Sequence, residues 1–216
     1  MKNMMFKTAI AGVAATVGFT AVGLEAAHAQ HFYLGGHGGL DWSYDYEKDG
    51  LDLHVTGFST SGRRKVYQDY YGIGVYGGRR NDNSVELDGY GKDESLLFDF
   101  KEHTVRLVSA VFSRVGKNDD FEVYVDHNET PLVSADIIGG NKWDTGFGYF
   151  NFLNLDGNEG SKFEFTVQGK NDDYFLKSLK VEKVVEAVPE PALMLGLGSV
   201  AAAGLLAQKR SRKETA

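Results

Sequence analysis

Short runs in which apolar and polar residues alternate one for one, cut by Gly, Asn and Asp, fill the middle of this 216-residue chain. Successive side chains of a strand point to opposite faces, so such a run buries one face and wets the other, whereas a helix needs an apolar stripe at a period of 3.6. Leu51, Leu53 and Val55 alternate with Asp52, His54 and Thr56; Phe121, Val123 and Val125 with Glu122, Tyr124 and Asp126; Phe163, Phe165 and Val167 with Glu164, Thr166 and Gln168. Further strands are expected at 72–76, 95–100, 105–115, 147–153 and 175–184. Val105, Leu107 and Val111 on one side and Val108, Ala110 and Phe112 on the other make 105–112 apolar at both phases, which places it mid-sheet under a second layer. No window carries an amphipathic helical stripe over three turns, and no internal repeat supports a propeller or solenoid. The expected fold is all-β, an antiparallel β-sandwich of jelly-roll type spanning 51–186. Residues 30–50, rich in Gly and aromatics and without a clean period, read as a lead-in to the first strand.

The two ends obey different rules. Lys2 and Lys7 precede an apolar stretch from Ala9 to Leu24, and Ala27-His28-Ala29 is the small-x-small pattern that signal peptidase accepts, so cleavage after Ala29 would leave Gln30 at the start. At the other end Pro189-Glu190-Pro191 is followed by an uncharged, mostly apolar run from Ala192 to Ala207 and then by Lys209, Arg210, Arg212 and Lys213. As a helix that run extends roughly 24 Å, just short of the ~30 Å hydrocarbon core. Lys and Arg stay on the cytoplasmic side, which puts everything before Pro189 outside the membrane. The chain thus divides into a signal helix at 1–29, a lead-in and sandwich at 30–186, and a tail with a short transmembrane helix at 187–216.

The tail resembles the PEP-CTERM sorting signal of bacterial exported proteins, in which a Pro-Glu-Pro motif, a short hydrophobic helix and an Arg/Lys-rich end follow one another. The resemblance covers 188–213. It implies recognition and removal of the tail by the membrane protease exosortase, transient membrane anchoring, and a final place on the cell surface or in the extracellular matrix of an exopolysaccharide-producing bacterium. A second resemblance covers part of the body. Gly72-Ile-Gly-Val75, Asn83-Ser-Val-Glu-Leu-Asp88, Asp93-Glu-Ser-Leu-Leu-Phe-Asp-Phe100 and Asn118-Asp-Asp-Phe-Glu-Val-Tyr-Val-Asp126 are similar to the jelly-roll domains of exported PEP-CTERM proteins and, in pattern, to galactose-binding-like sandwiches.

Between Gln30 and Val188 there are 27 Asp plus Glu and 17 Lys plus Arg, a net charge of −10. A body this acidic repels nucleic acid and anionic headgroups and suits cations or neutral polymers. The absence of cysteine excludes disulfides, thiol nucleophiles and cysteine-held metals, so stability rests on packing.

Two sets of residues offer binding chemistry. Acidic turns at Asp88, Asp93, Glu94, Asp119, Asp120, Asp126 and Asn128 supply the oxygen ligands that a structural Ca²⁺ collects from separate loops, although Asn and Asp also populate turns because their side chains mimic the backbone. Trp143 lies in the polar run Gly139-Gly-Asn-Lys-Trp-Asp-Thr-Gly146, and exposed flat rings grip sugar faces. Trp42, Tyr71 and Tyr76, with Tyr67 and Tyr70, extend such a platform, and Arg79 and Arg80 supply hydrogen bonds to hydroxyls or carboxylates. The alternative for these rings is the sandwich core.

No Gly-x-Ser-x-Gly, His-Glu-x-x-His or phosphate-binding Gly-Lys-Ser/Thr is present, and the histidines are scattered. The expectation is a non-enzymatic exported protein whose sandwich binds or organises extracellular polysaccharide. The alternatives are a secreted carbohydrate-active enzyme, either a glycoside hydrolase or a polysaccharide lyase, and a purely structural matrix subunit.

Overall fold

A computed structural model describes residues 28–78, 84–167 and 169–185. The signal segment through Ala27, Arg79 and Arg80, the Pro189-Glu190-Pro191 motif, the apolar run 192–207 and the basic residues Lys209, Arg210, Arg212 and Lys213 lie outside the described residues. Within the described residues no helix is long and apolar enough to cross a membrane.

Fifteen strands form among the described residues, and all recorded pairings are antiparallel. In chain order they are β1 (Ala29–Tyr33), β2 (Gly39–Asp41), β3 (Ser43–Lys48), β4 (Leu51–Ser59), β5 (Gly62–Asp69), β6 (Gly72–Tyr76), β7 (Leu87–Asp88) and β8 (Glu94–Asp99). They continue with β9 (Val105–Val115), β10 (Asp120–Val125), β11 (Val133–Asp136), β12 (Gly146–Asn151), β13 (Glu159–Gly160), β14 (Lys162–Val167) and β15 (Asp173–Lys183). Hydrogen bonds link them in the order β11-β10-β14-β8-β4-β5-β6-β15-β9-β12.

This sheet curls back on itself, an arrangement consistent with a β-sandwich. β4 and β5 pair only over 57–59 and 62–64 and then part, one arm entering each half. β2 and β3, separated by Trp42 alone, fill the resulting gap, β2 on β5 and β3 on β4. The two halves meet through their aromatic residues. Phe112 on β9 packs 4.9 Å from Phe121 on β10 and 6.5 Å from Phe165 on β14, and Phe32 on β1 lies 5.8 Å from Phe100, centroid to centroid. Leu51, Leu53, Val55, Phe121, Val123, Phe163, Phe165 and Val167, the apolar phases of the three alternating runs, all enter this core. Each fully buried side chain of this size contributes about 1.5–3 kcal/mol relative to exposure.

Two expectations are corrected. The lead-in at 30–50 is part of the sheet and holds β1, β2 and β3. Its signal is there in Tyr44 and Tyr46, which pack on the core and alternate with the outward Ser43, Asp45 and Glu47, but the glycines at 35, 36, 38 and 39 break the pattern into pieces too short to read. The second correction concerns 105–112. Lys180 pairs with Ser109 and Val181 with Leu107, so Val108 is an unpaired bulge residue that resets the phase of β9. Val105, Leu107, Ala110 and Phe112 therefore all join the core, and Val111 faces outward. β9 is nonetheless interior to its sheet, with β15 on one edge and β12 and β13 on the other.

Candidate functional site

Register sorts the expected ligand-binding rings into three places on the half that contains β15. Lys65 pairs with Tyr76, and Trp42 follows Asp41, the partner of Val66, so Trp42, Lys65 and Tyr76 form one outward row. The Lys65 ammonium lies 5.6 Å and the Arg63 guanidinium 5.9 Å from the Trp42 ring, which remains 52% exposed. Cation–ring contacts of this kind contribute about 0.5–1 kcal/mol at exposed sites and so favour one placement of the indole.

Tyr71 belongs to a second group. It packs 4.0 Å from Tyr70 and 6.2 Å from Phe175, and the Arg114 guanidinium lies 5.3 Å from its ring. Trp143 stands alone at the tip of the β11–β12 connection, 71% exposed, with Lys142 Nζ 4.6 Å from its ring. Asn141 Oδ1 accepts from the Trp143 and Thr145 N–H groups and fixes this turn. Gly140 seats the loop, because a Cβ there would overlap the Gly116 carbonyl.

A further aromatic set was not singled out from the sequence. The outward row across four strands reads Tyr149 on β12, Val111 on β9, Ser178 on β15 and Tyr33 on β1. The row above it holds Phe147, Ser113 and Phe175, and the row below Asn151, Ser109, Lys180 and His31. Ser109, Val111 and Ser113 on β9 and Ser178 on β15 thus floor a trough between Tyr33 on one side and Phe147 and Tyr149 on the other, all three rings more than half exposed. Three inter-strand steps separate its walls, about 14 Å. A bulge in β15 between Leu176 and Ser178 places the extra residue, Lys177, over this trough. Its ammonium lies 5.3 Å from the Phe147 ring and 5.7 Å from Tyr33, and it donates a 3.0 Å hydrogen bond to the Tyr70 carbonyl. The readable signal was Gly146-Phe-Gly-Tyr149: Gly148 faces inward, where a Cβ would overlap Ile137, so its ring-bearing neighbours must face out.

The two outer surfaces carry opposite charge. On the half that contains β4, outward positions include Asp45, Asp52, Asp99, Glu122 and Glu164; Lys162 lies 3.8 Å from Asp99 and His54 bonds Asp45 at 2.7 Å. The β15 half presents Arg63, Lys65, Lys177 and Lys180, none of which has a carboxylate within ion-pairing distance among the described residues. Of its acids, Glu159 and Glu182 pair with Arg106 and Glu86 with Arg114 at 2.6 Å, while Asp41 on β2 and Asp69 on β5 make no ion pair among the described residues.

The seven expected calcium ligands are distributed over several turns. Asp126, at φ 48°, accepts from Ser161 N–H, Ser161 Oγ–H and Lys162 N–H. Asp88 accepts from Tyr90 N–H and Asn128 from Thr130 N–H. Asp93 lines a depression of about 400 Å³ on the acidic surface with His127 and Glu164, while Glu94 is buried. Asp119 accepts from Gly116 N–H, and burial pushes its carboxyl up to about 7 against that bond, with the Asp173 charge adding to the rise. Glu86 is likewise raised to about 7, by burial and then by Asp173, with Arg114 opposing. Asp173 is raised by burial and by Asp144. Asp120 reaches about 6 through burial and a hydrogen bond with its cross-strand partner Asp136. Among the described residues no group of three or more His, Asp or Glu side chains is gathered at one point.

Comparison with protein-family descriptions, with curated proteins and with solved structures found no match to this chain.

Proposed function

We propose that this chain is an exported protein of the cell surface or extracellular matrix whose β-sandwich binds polysaccharide without chemically altering it. Processing by signal peptidase and exosortase, transient anchoring through 192–207, and the finer jelly-roll assignment are parts of the same proposal. They rest on the sequence of the two ends and on the resemblance of the body to galactose-binding-like sandwiches. The observation that carries the binding reading is the concentration of exposed rings on one surface: Trp42, beside the half-buried Tyr76, and Tyr33 with Phe147 and Tyr149 lie in register-defined rows, and Trp143 stands at one end. Exposed rings contacted by cations and flanked by hydrogen-bonding side chains are suited to the apolar faces of sugars.

The test is co-sedimentation of the protein with matrix polysaccharide, using wild type, Trp143→Ala and Trp42→Ala. Retention of the wild type and its reduction in at least one variant is expected; no retention on any polymer sinks the reading. The depression with Asp93 and Glu164, and a second of about 420 Å³ lined by Glu86, Asp88, Asp172 and Asp173, offer the carboxylates a carbohydrate-active enzyme needs. New reducing ends or unsaturated products that vanish in Glu164→Gln would replace the binding reading with that one.

A further inference from the structure

We infer that the trough between Tyr33 and the Phe147–Tyr149 pair is a binding site for an anionic polysaccharide, with Lys177 and Lys180 meeting its carboxylates while the rings lie against its sugar faces. This rests on the polysaccharide-binding reading and adds the site and the charge of the ligand.

Three observations carry it. The first is the β15 bulge. A bulge interrupts a hydrogen-bonded ladder and re-aims one side chain, and here the re-aimed residue is Lys177, delivered between two exposed rings on different strands. Its ammonium donates a hydrogen bond to the neutral Tyr70 carbonyl, and among the described residues no carboxylate lies within ion-pairing distance of it.

The second is the partition of charge. The body carries −10, yet the surface around the trough holds Lys177 and Lys180 with no acid in the three rows that define it. A cationic strip on an acidic body guides an anionic chain to one face and repels it from the other. This refines the expectation from net charge alone, which favoured neutral polymers.

The third is shape. Ser109, Ser113 and Ser178 are buried beneath the surface, so the exposed rings of Tyr33, Phe147 and Tyr149 stand above a low floor with the Lys177 ammonium between them. A shallow, ring-studded surface of that kind suits the interior of a polymer, whereas small ligands are held in enclosed cavities. A second copy docked by two-fold symmetry would place lysine against lysine, which disfavours that occupant.

The experiment measures binding of the purified full chain to polygalacturonate, to the same polymer with its carboxylates reduced to alcohols, and to dextran, at 50 and 200 mM salt. The expected result is preference for polygalacturonate by about tenfold or more and weakening at the higher salt, because exposed charge contacts are screened. Lys177→Glu with Lys180→Glu should lower that binding about tenfold, and Tyr33→Ala with Tyr149→Ala by a similar factor, at unchanged melting temperature. If the double lysine variant fails to fold, Lys180→Glu alone, at an exposed position, should lower affinity by about threefold.

Equal binding to the carboxyl-reduced polymer overturns the inference and leaves the broader reading standing. So does unaltered binding in the lysine variants. No binding to any polymer removes both. Concentration-dependent self-association that the lysine reversal abolishes would make the occupant the acidic surface of a second copy, and this too overturns the proposal.

Discussion

Asp126 illustrates how a residue type constrains interpretation without deciding it. Its carboxylate, a cation ligand by residue type, accepts three hydrogen bonds from Ser161 and Lys162 at one oxygen, Oδ1, and so holds the end of β10 against the start of β14. Asp tolerates the left-handed backbone at φ 48° because its short polar side chain bonds locally. Asp126→Ala should therefore destabilise the domain by about 2 kcal/mol, while Asp126→Asn, which keeps an acceptor, should cost about 0.5 kcal/mol or less, both read by urea denaturation. The aromatic residues show the same limit. Trp143 was legible because its polar loop contains no alternation to bury it. Tyr33 and Phe147 were not, since nothing in the sequence indicates that residues so far apart share one lysine.

At the level of the strand, the bounds of Val105–Val115 and Gly72–Tyr76 were readable from apolar runs between turn residues. The face each residue takes was not always so. A bulge shifts every later side chain by one step, and nothing in Val-Ser-Ala distinguishes a regular ladder from one with Val108 extruded. β1 escaped notice for another reason: its residues Gln30 and His31 are polar, and its order comes from pairing with β15. Its contribution is measurable. A chain beginning at Gln30 should melt within about 2 °C of the full chain, whereas one beginning at Gly35 loses the buried Phe32 and Leu34 and should be less stable by about 3–6 kcal/mol.

For the molecule as a whole, acidic residues gathered at one end make stability depend on pH. Glu86, Asp119 and Asp173 are all raised by burial, Glu86 and Asp119 further by Asp173 to about 7 and Asp173 further by Asp144, so the native state holds protons that the unfolded chain has already released. Groups raised on folding contribute their full stability below the unfolded carboxylate range and lose it as pH rises through 7. The melting temperature should fall between pH 5 and 8 by about 2–8 °C, corresponding to roughly 1–2 kcal/mol after allowance for solvent reaching the cluster, and Asp119→Asn should flatten the fall. A scan of melting temperature against pH checks both. Period-two patterning made the strand-rich class legible, while the opposed charges of the two surfaces emerged only once register assigned each acid and lysine to a side.

The pairing of Ala29 with Glu182 brings the first and last described strands out of the molecule at the same pole. The opposite pole holds the Trp143 loop, joined to the far end of β9 by the bond from Asn141 N–H to the Val115 carbonyl. A leash fastened beyond residue 185 would therefore hold the molecule by its foot, like a pennant on its staff. The indole would ride at the tip, about 30 Å outward along eleven-residue strands, in position to make first contact with whatever drifts past.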